Sequence, residues 1–150
     1  MLVEDCQFEY NPTSTIYFSS NLRVIDGSYI HLFPEEDLIN NIAIISNIAL
    51  NYARDDLSLF SISLKKKYKK ETHESVIRQK LVHYFGGSES NYTFEKSFLI
   101  NKGTIKQQVG FFDQEKTFHG KYTLCGDYFE NGSIEGATIS GIKAYEQLKK

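Results

Sequence analysis

The residues best placed to do chemistry lie near the C-terminus. Gly126 and Asp127 close a short strand-like run over residues 121–127, and six positions after Asp127 comes Ser133, which opens a helical pattern reaching Leu148. A serine at that place can cap the first turn through its hydroxyl. The remaining amides there carry partial positive charge, which suits an anion or an electron-rich carbonyl. A strand end bearing Gly-Asp beside such a helix start can hold a phosphate, a polyol and the polar edge of a ring. The helix interior is unusual as well, because Gly136, Ala137, Ser140, Gly141 and Ala144 make a stripe of small residues. Each interior glycine costs roughly 1 kcal/mol against alanine, and close approach of another backbone or of a flat ligand would offset that cost. Tight helix–sheet packing without a ligand meets the same spacing, so the residues alone leave both readings open.

Elsewhere the chemistry-bearing residues stand alone. His31, His73, His83 and His119 each lack a second ligand type at metal spacing, so they read as surface or core residues and no metal site is expected. Ser46 and Ser61 have no nucleophile-elbow glycines around them. Glu35, Glu36 and Asp37 read as turn charges, as do Asp55 and Asp56. Five lysines among residues 65–70 surround Tyr68 and read as a solvated loop rather than a phosphate or nucleic-acid patch. Cys6 and Cys125 are far apart and read as reduced thiols. No catalytic acid or base can be named.

The elements that must position the C-terminal segment can be sketched from pattern. Residues 14–19 and 28–33 are β-branched and aromatic, with an Asp26-Gly27 turn signal between them, and could pair as a hairpin. Residues 42–49 are nearly continuously apolar and read as a strand buried on both faces. Residues 57–64 alternate, with Phe60, Ile62 and Leu64 on one side, and are expected to pair with that strand. Residues 72–85 read as a helix capped by Thr72, carrying a stripe of Val76, Ile77, Leu81, Tyr84 and Phe85, and stopped by Gly86-Gly87. Residues 91–100 return to strand chemistry, and 103–120 read as a polar loop. The fold class expected is α+β: a mixed or antiparallel sheet with a covering helix, then a terminal strand–loop–helix.

The bulk numbers bound the function. The chain has 150 residues, enough for one domain with a real core, at 41% hydrophobic and 24% charged. A net charge of −2 argues against nucleic-acid or membrane-surface binding. No apolar run approaches the roughly 20 residues needed to span a bilayer, and Glu4 and Asp5 stand where a secretory leader would carry basic residues. A cytoplasmic protein is expected.

The segment Cys125-Gly126-Asp127, followed by Ser133-X-Glu135-Gly136-Ala137-X-X-Ser140-Gly141, closely resembles the C-terminal FAD motif of the flavin-containing amine oxidase superfamily. Residues 39–53 also resemble a bacterial branch of that superfamily, whose members are NAD(P)/FAD-dependent oxidoreductases. The resemblance implies that Gly126 and Asp127 sit by the FAD pyrophosphate and ribityl chain. It implies that Ser133, Ile134, Glu135, Gly136 and Ala137 bring helix-start amides near the pyrimidine edge of the isoalloxazine, favouring the anionic reduced flavin. Ser140, Gly141 and Ala144 would pack against the neighbouring dinucleotide-binding layer.

Two departures qualify these implications. The Gly-X-Gly-X-X-Gly turn that holds the ADP half of FAD occurs nowhere in the 150 residues, and Tyr145 stands where the family commonly has alanine. The resemblance thus implies a truncated chain. Residues 1–120 would belong to a substrate domain with helix 72–85, and residues 121–150 to the strand and helix of a Rossmann-like FAD/NAD(P)-binding domain. Its partners would be a missing N-terminal dinucleotide-binding half and a small-molecule substrate. The chain would then supply one side of a flavin site, hold FAD only with that half, and be inactive alone. The rival expectation is a non-enzymatic α+β binding or interaction module whose glycine-rich helix serves packing only.

Overall fold

A computed structural model of the chain describes residues 9–24, 27–54, 56–107, 109, 118–119 and 122–149. The chain divides into two compact units, Pro12–Asn101 and a second made of Met1–Asn11 with Lys102–Lys150. Its strands are β1 (Tyr10–Ser20), β2 (Ile30–Leu32), β3 (Ile39–Ile44), β4 (Ser58–Leu64), β5 (Tyr92–Ile105), β6 (Phe118–His119) and β7 (Tyr122–Thr123). The helices are α1 (Lys70–Phe85) and α2 (Ile134–Leu148). The α+β class expected from the pattern is the class observed.

The first unit is a five-stranded sheet in the order β2-β3-β4-β1-β5, and β2/β3, β3/β4 and β4/β1 are all antiparallel. Period-two alternation builds its core. Ile16 faces Ile62, which faces Ile42; one step along, Phe18 faces Phe60, which faces Ile44. All six are buried, and Ile77 and Leu81 of α1 join the same cluster. The residues between them, Tyr17, Ser61 and Ala43, fall on the opposite face and are only half-buried. Tyr92 at the start of β5 is also buried, and its hydroxyl donates to the Leu81 and Gly86 carbonyls at 3.3 and 3.0 Å.

Several expectations need correction. Residues 28–33 do not form a hairpin with β1, because β2 pairs with β3 through Ile30↔Ala43 and Leu32↔Asn41. The run 42–49 is not one strand buried on both faces. Its strand begins earlier, at Ile39, and gives way to a 3-10 turn over Ile45–Asn47. The buried Ser46 explains the turn, since its hydroxyl accepts the Leu59 amide at 3.0 Å. Helix α1 starts at Lys70, so Thr72 is not its cap. The Lys69 amide donates to Nδ1 of His73 at 3.1 Å instead. Val76 lies off the buried stripe and is exposed. Gly103 to Ile105 continue β5, and Phe118–His119 form β6, so residues 103–120 are not one loop; most of 108–117 lies outside the described residues.

Other expectations hold. Gly86 and Gly87 stop α1 with φ of 83° and 78°, and β4 pairs with β3. Lysines 65, 66, 67 and 69 form an exposed loop, although Lys65 has a structural task. Its ammonium donates to the carbonyls of Phe33, Pro34 and Glu36 at 3.0, 2.8 and 2.5 Å, pinning the acidic turn 34–37. Glu36 pairs with Lys80 at 2.6 Å and accepts the Tyr84 hydroxyl. The hydrogen bond from Lys80, then that from Tyr84, hold the Glu36 carboxyl below its ordinary range. Partial burial, then the bond to Glu36 and its charge, push Tyr84 up to about 12.

In the second unit β6 and β7 pair antiparallel, Phe118↔Thr123 and His119↔Tyr122. A 3-10 turn over Asp127–Phe129 then leads to α2, whose buried residues are Gly136, Ser140 and Ala144. Phe129 and Ile105 are buried too.

Candidate functional site

The strand expected to run to Gly126-Asp127 is only Tyr122–Thr123, and Gly126-Asp127 instead open a 3-10 turn. The turn–helix unit that follows is held by short-range hydrogen bonds. Ser133 is the N-cap of α2 as expected: its hydroxyl accepts the Gly136 amide at 3.0 Å and donates to Oδ1 of Asn131 at 2.5 Å. The Ser133 carbonyl accepts the Ala137 amide at 2.9 Å. Gly132 takes φ of 65°, and its amide returns to the Asp127 carbonyl at 3.1 Å, closing the loop between the two halves of the motif. Glu130 of this loop pairs with Lys143 of α2 at 2.5 Å.

Gly126 is tied to the helix through Ser140, a member of the small-residue stripe whose hydrogen bond the spacing does not reveal. The Gly126 amide donates to the hydroxyl of Ser140, a residue with no solvent exposure, at 3.1 Å. Asp127 opens the 3-10 turn and its side chain is exposed. At the helix start Ser133, Ile134 and Glu135 are exposed, Gly136 is buried and Ala137 is half-buried. The structure therefore brings the Gly126-Asp127 turn and the 133–137 turn onto one loop-and-helix unit. The amides of Ile134 and Glu135 belong to the first turn, where the helix itself offers no acceptors.

The small-residue stripe divides in two. Gly136, Ser140 and Ala144, spaced four apart, form the buried face, so Ser140 and Ala144 are covered by the chain itself and not left for a neighbouring dinucleotide-binding layer. A Cβ on Gly136 would lie 2.4 Å from Oδ1 of Asn131 and 3.1 Å from its backbone nitrogen. The close approach that offsets this glycine is thus the chain's own turn. Gly141 differs, since a Cβ there would meet nothing within 4 Å. Beside it Ile134, Ile142, Tyr145 and Leu148 are exposed, Ile134 at 91%. Ser140 could have been found from sequence as the central member of the i, i+4, i+8 set, and Gly141 as the glycine outside it.

Among the described residues no three His, Cys, Asp or Glu side chains gather as a metal-binding group, and no helix is long and apolar enough to cross a membrane. Cys125 is exposed as a free thiol, and Cys6 lies outside the described residues.

No family model matches the chain, and no curated protein matches it. Solved structures do. A crystal structure of a protein from Pyrococcus furiosus aligns over 97% of this chain and 33% of its own length, with a TM-score of 0.63 and 14% identity. A crystal structure of an oxidoreductase from Methanosarcina mazei aligns over 93% of this chain and 35% of its own, with a TM-score of 0.64 and 13% identity. At these identities the likeness is one of fold: this α+β arrangement is also found within a protein named as an oxidoreductase. The chain spans about a third of the length of the structures it matches.

Proposed function

We propose that this chain is the C-terminal portion of an FAD-dependent oxidoreductase resembling the flavin-containing amine oxidase superfamily, supplying one side of the flavin site and inactive alone. The observation that carries the reading is the α2 start. A serine-capped first turn stands exposed beside the Gly126-Asp127 turn and is tied to it through Ser140. In this reading Gly126 and Asp127 lie by the pyrophosphate and ribityl chain. The amides from Ser133 to Ala137 face the pyrimidine edge of the ring, where partial positive charge favours the anionic reduced flavin. Residues 1–120 then serve as a substrate domain, residues 121–150 complete the Rossmann-like FAD-binding domain, and the remaining partner is an N-terminal dinucleotide-binding half. The fold likeness to an oxidoreductase three times longer supports the same reading.

A second reading, an interaction module whose glycines serve packing only, is favoured by one fact: Asn131 already accounts for Gly136. Gly136→Leu would therefore break the chain's own turn under either reading. Gly141 separates them, because its surroundings in the chain are open. Mixed with a glycine-rich dinucleotide-binding half, the chain should hold FAD, seen as the yellow absorbance of bound isoalloxazine. Gly141→Leu should leave the isolated chain folded and abolish that FAD content. Asp127→Ala should weaken FAD by roughly the 1.5–3 kcal/mol of one charged hydrogen bond. Normal FAD content in Gly141→Leu would favour the packing reading.

A further inference from the structure

The Pro12–Asn101 unit carries a second feature that the flavin reading does not use. On the sheet face opposite α1 lies an open cleft of about 420 Å³, within the roughly 300–1,000 Å³ range of small-molecule sites. Its apolar walls are Tyr17, Leu59, Tyr52 and Phe98. Tyr17 and Phe98 meet edge to face, with centroids 5.9 Å apart and planes at 89°. This is the arrangement a third ring can extend.

The charges around the cleft are unbalanced. Arg54, Lys96 and Glu95 line it. Glu95 already accepts the Ser19 hydroxyl at 2.5 Å, and the Lys96 ammonium sits 4.9 Å from the Phe98 ring centre. The Arg54 guanidinium has no ion-pair partner among the described residues. Arg54 stands on the wall shared with an adjoining cleft of about 660 Å³ that Asp56 also lines, and no ion pair joins the two side chains. Two cations thus line the cleft beside one carboxylate whose acceptor capacity is partly taken. A guanidinium presents paired N–H groups in a planar fork that fits a carboxylate.

We infer that this cleft binds a small amphipathic anion, with a planar ring packed on Tyr17 and Phe98 and a carboxylate or similar oxyanion on Arg54. The inference stands apart from the flavin reading, since every residue it uses lies in the Pro12–Asn101 unit. A cationic ligand would meet Arg54 and Lys96 unfavourably. A neutral one would gain the ring contact but no attraction from the two cations.

The test is a titration of the full chain, followed by amide NMR shifts, with three probes of one shape: 2-naphthoate, 2-naphthalenemethanol and 2-naphthylmethylammonium. Saturable shifts are expected at residues 17, 52–54, 57–59 and 95–98, with naphthoate tightest and the ammonium weakest. Arg54→Gln, at an exposed position, should weaken naphthoate about tenfold and leave the alcohol unchanged. Phe98→Ala should weaken naphthoate and the alcohol alike. The inference is overturned if the ammonium binds as tightly as the carboxylate, if the shifts map elsewhere or do not saturate, or if Arg54→Gln has no effect on naphthoate.

Discussion

The two units of the chain solve the problem of burial in opposite ways. The Pro12–Asn101 unit buries large side chains: Phe18, Phe60, Tyr92, six isoleucines and Leu81 are nearly inaccessible, those of β1, β3 and β4 forming one layer that Ile77 and Leu81 of α1 and Tyr92 of β5 join. The second unit buries Gly136, Ser140 and Ala144 along α2, with Phe129 and Ile105 as its large buried side chains among the described residues. Apolar stabilisation scales with area removed from water, so the first unit has an ample source of it. Among its described residues the second unit is held mainly by hydrogen bonds and close backbone approach, and both units leave large apolar side chains exposed, Leu32 and Leu50 in the first and Ile134 and Leu148 in the second.

The largest effect that could break this contrast is a core truncation. Phe60→Ala should cost about 3–5 kcal/mol, measured by chemical denaturation, while Phe129→Ala should cost clearly less. Equal losses would mean that the second unit has a comparable core. Next, Ser140→Ala removes the acceptor of the Gly126 amide. Leaving that donor unpaired should cost about 1–3 kcal/mol, in a transition separable from that of the sheet if the units unfold independently. Gly141→Ala should act in the other direction, since the added methyl group meets nothing. A gain near 1 kcal/mol in the isolated chain is expected from helix propensity alone, and a loss would show that the helix surface at Gly141 is already occupied.

The smallest effect sharpens the first unit. Glu36 has a carboxyl pKa lowered by Lys80 and Tyr84. A depressed acid contributes stability above its unfolded pKa and loses it as pH falls through the lower folded value. Acidification below the ordinary carboxylate range should therefore destabilise this unit, and Glu36→Gln should flatten that part of the pH profile. Tyr84, pushed up to about 12, has the opposite sign: its contribution is present below the unfolded tyrosine pKa near 10 and lost as pH rises towards 12. A profile unchanged by Glu36→Gln would remove the carboxylate from the account.

What the sequence disclosed follows the range of the interactions involved. The Ser133 cap, the Gly86-Gly87 stop and the alternation of β4 depend on neighbours within a few residues, and each is where the residues place it. The partner of β2 depends on chain returning from residue 39, so a local turn signal at Asp26-Gly27 pointed to the wrong strand. The start of α1 was hidden because its N-cap is Lys69, which offers no capping side chain, and the Lys69 amide is satisfied by the His73 imidazole. In the candidate site the helix start was legible, but the Ser140–Gly126 bond spans fourteen residues and the reason for Gly136 lies in a turn whose path no periodicity encodes.

Hydrogen exchange of α2, with and without a dinucleotide-binding half and FAD, tests the central claim most directly. In the chain alone, residues 134–148 should exchange faster than β1, β4 and α1, because local stability follows buried apolar packing. Adding the half and FAD should slow exchange at the helix start and along the Gly141 side, while the sheet stays as it was. Residues 134–148 exchanging slowest in the chain alone, or showing no change on mixing, would contradict the account.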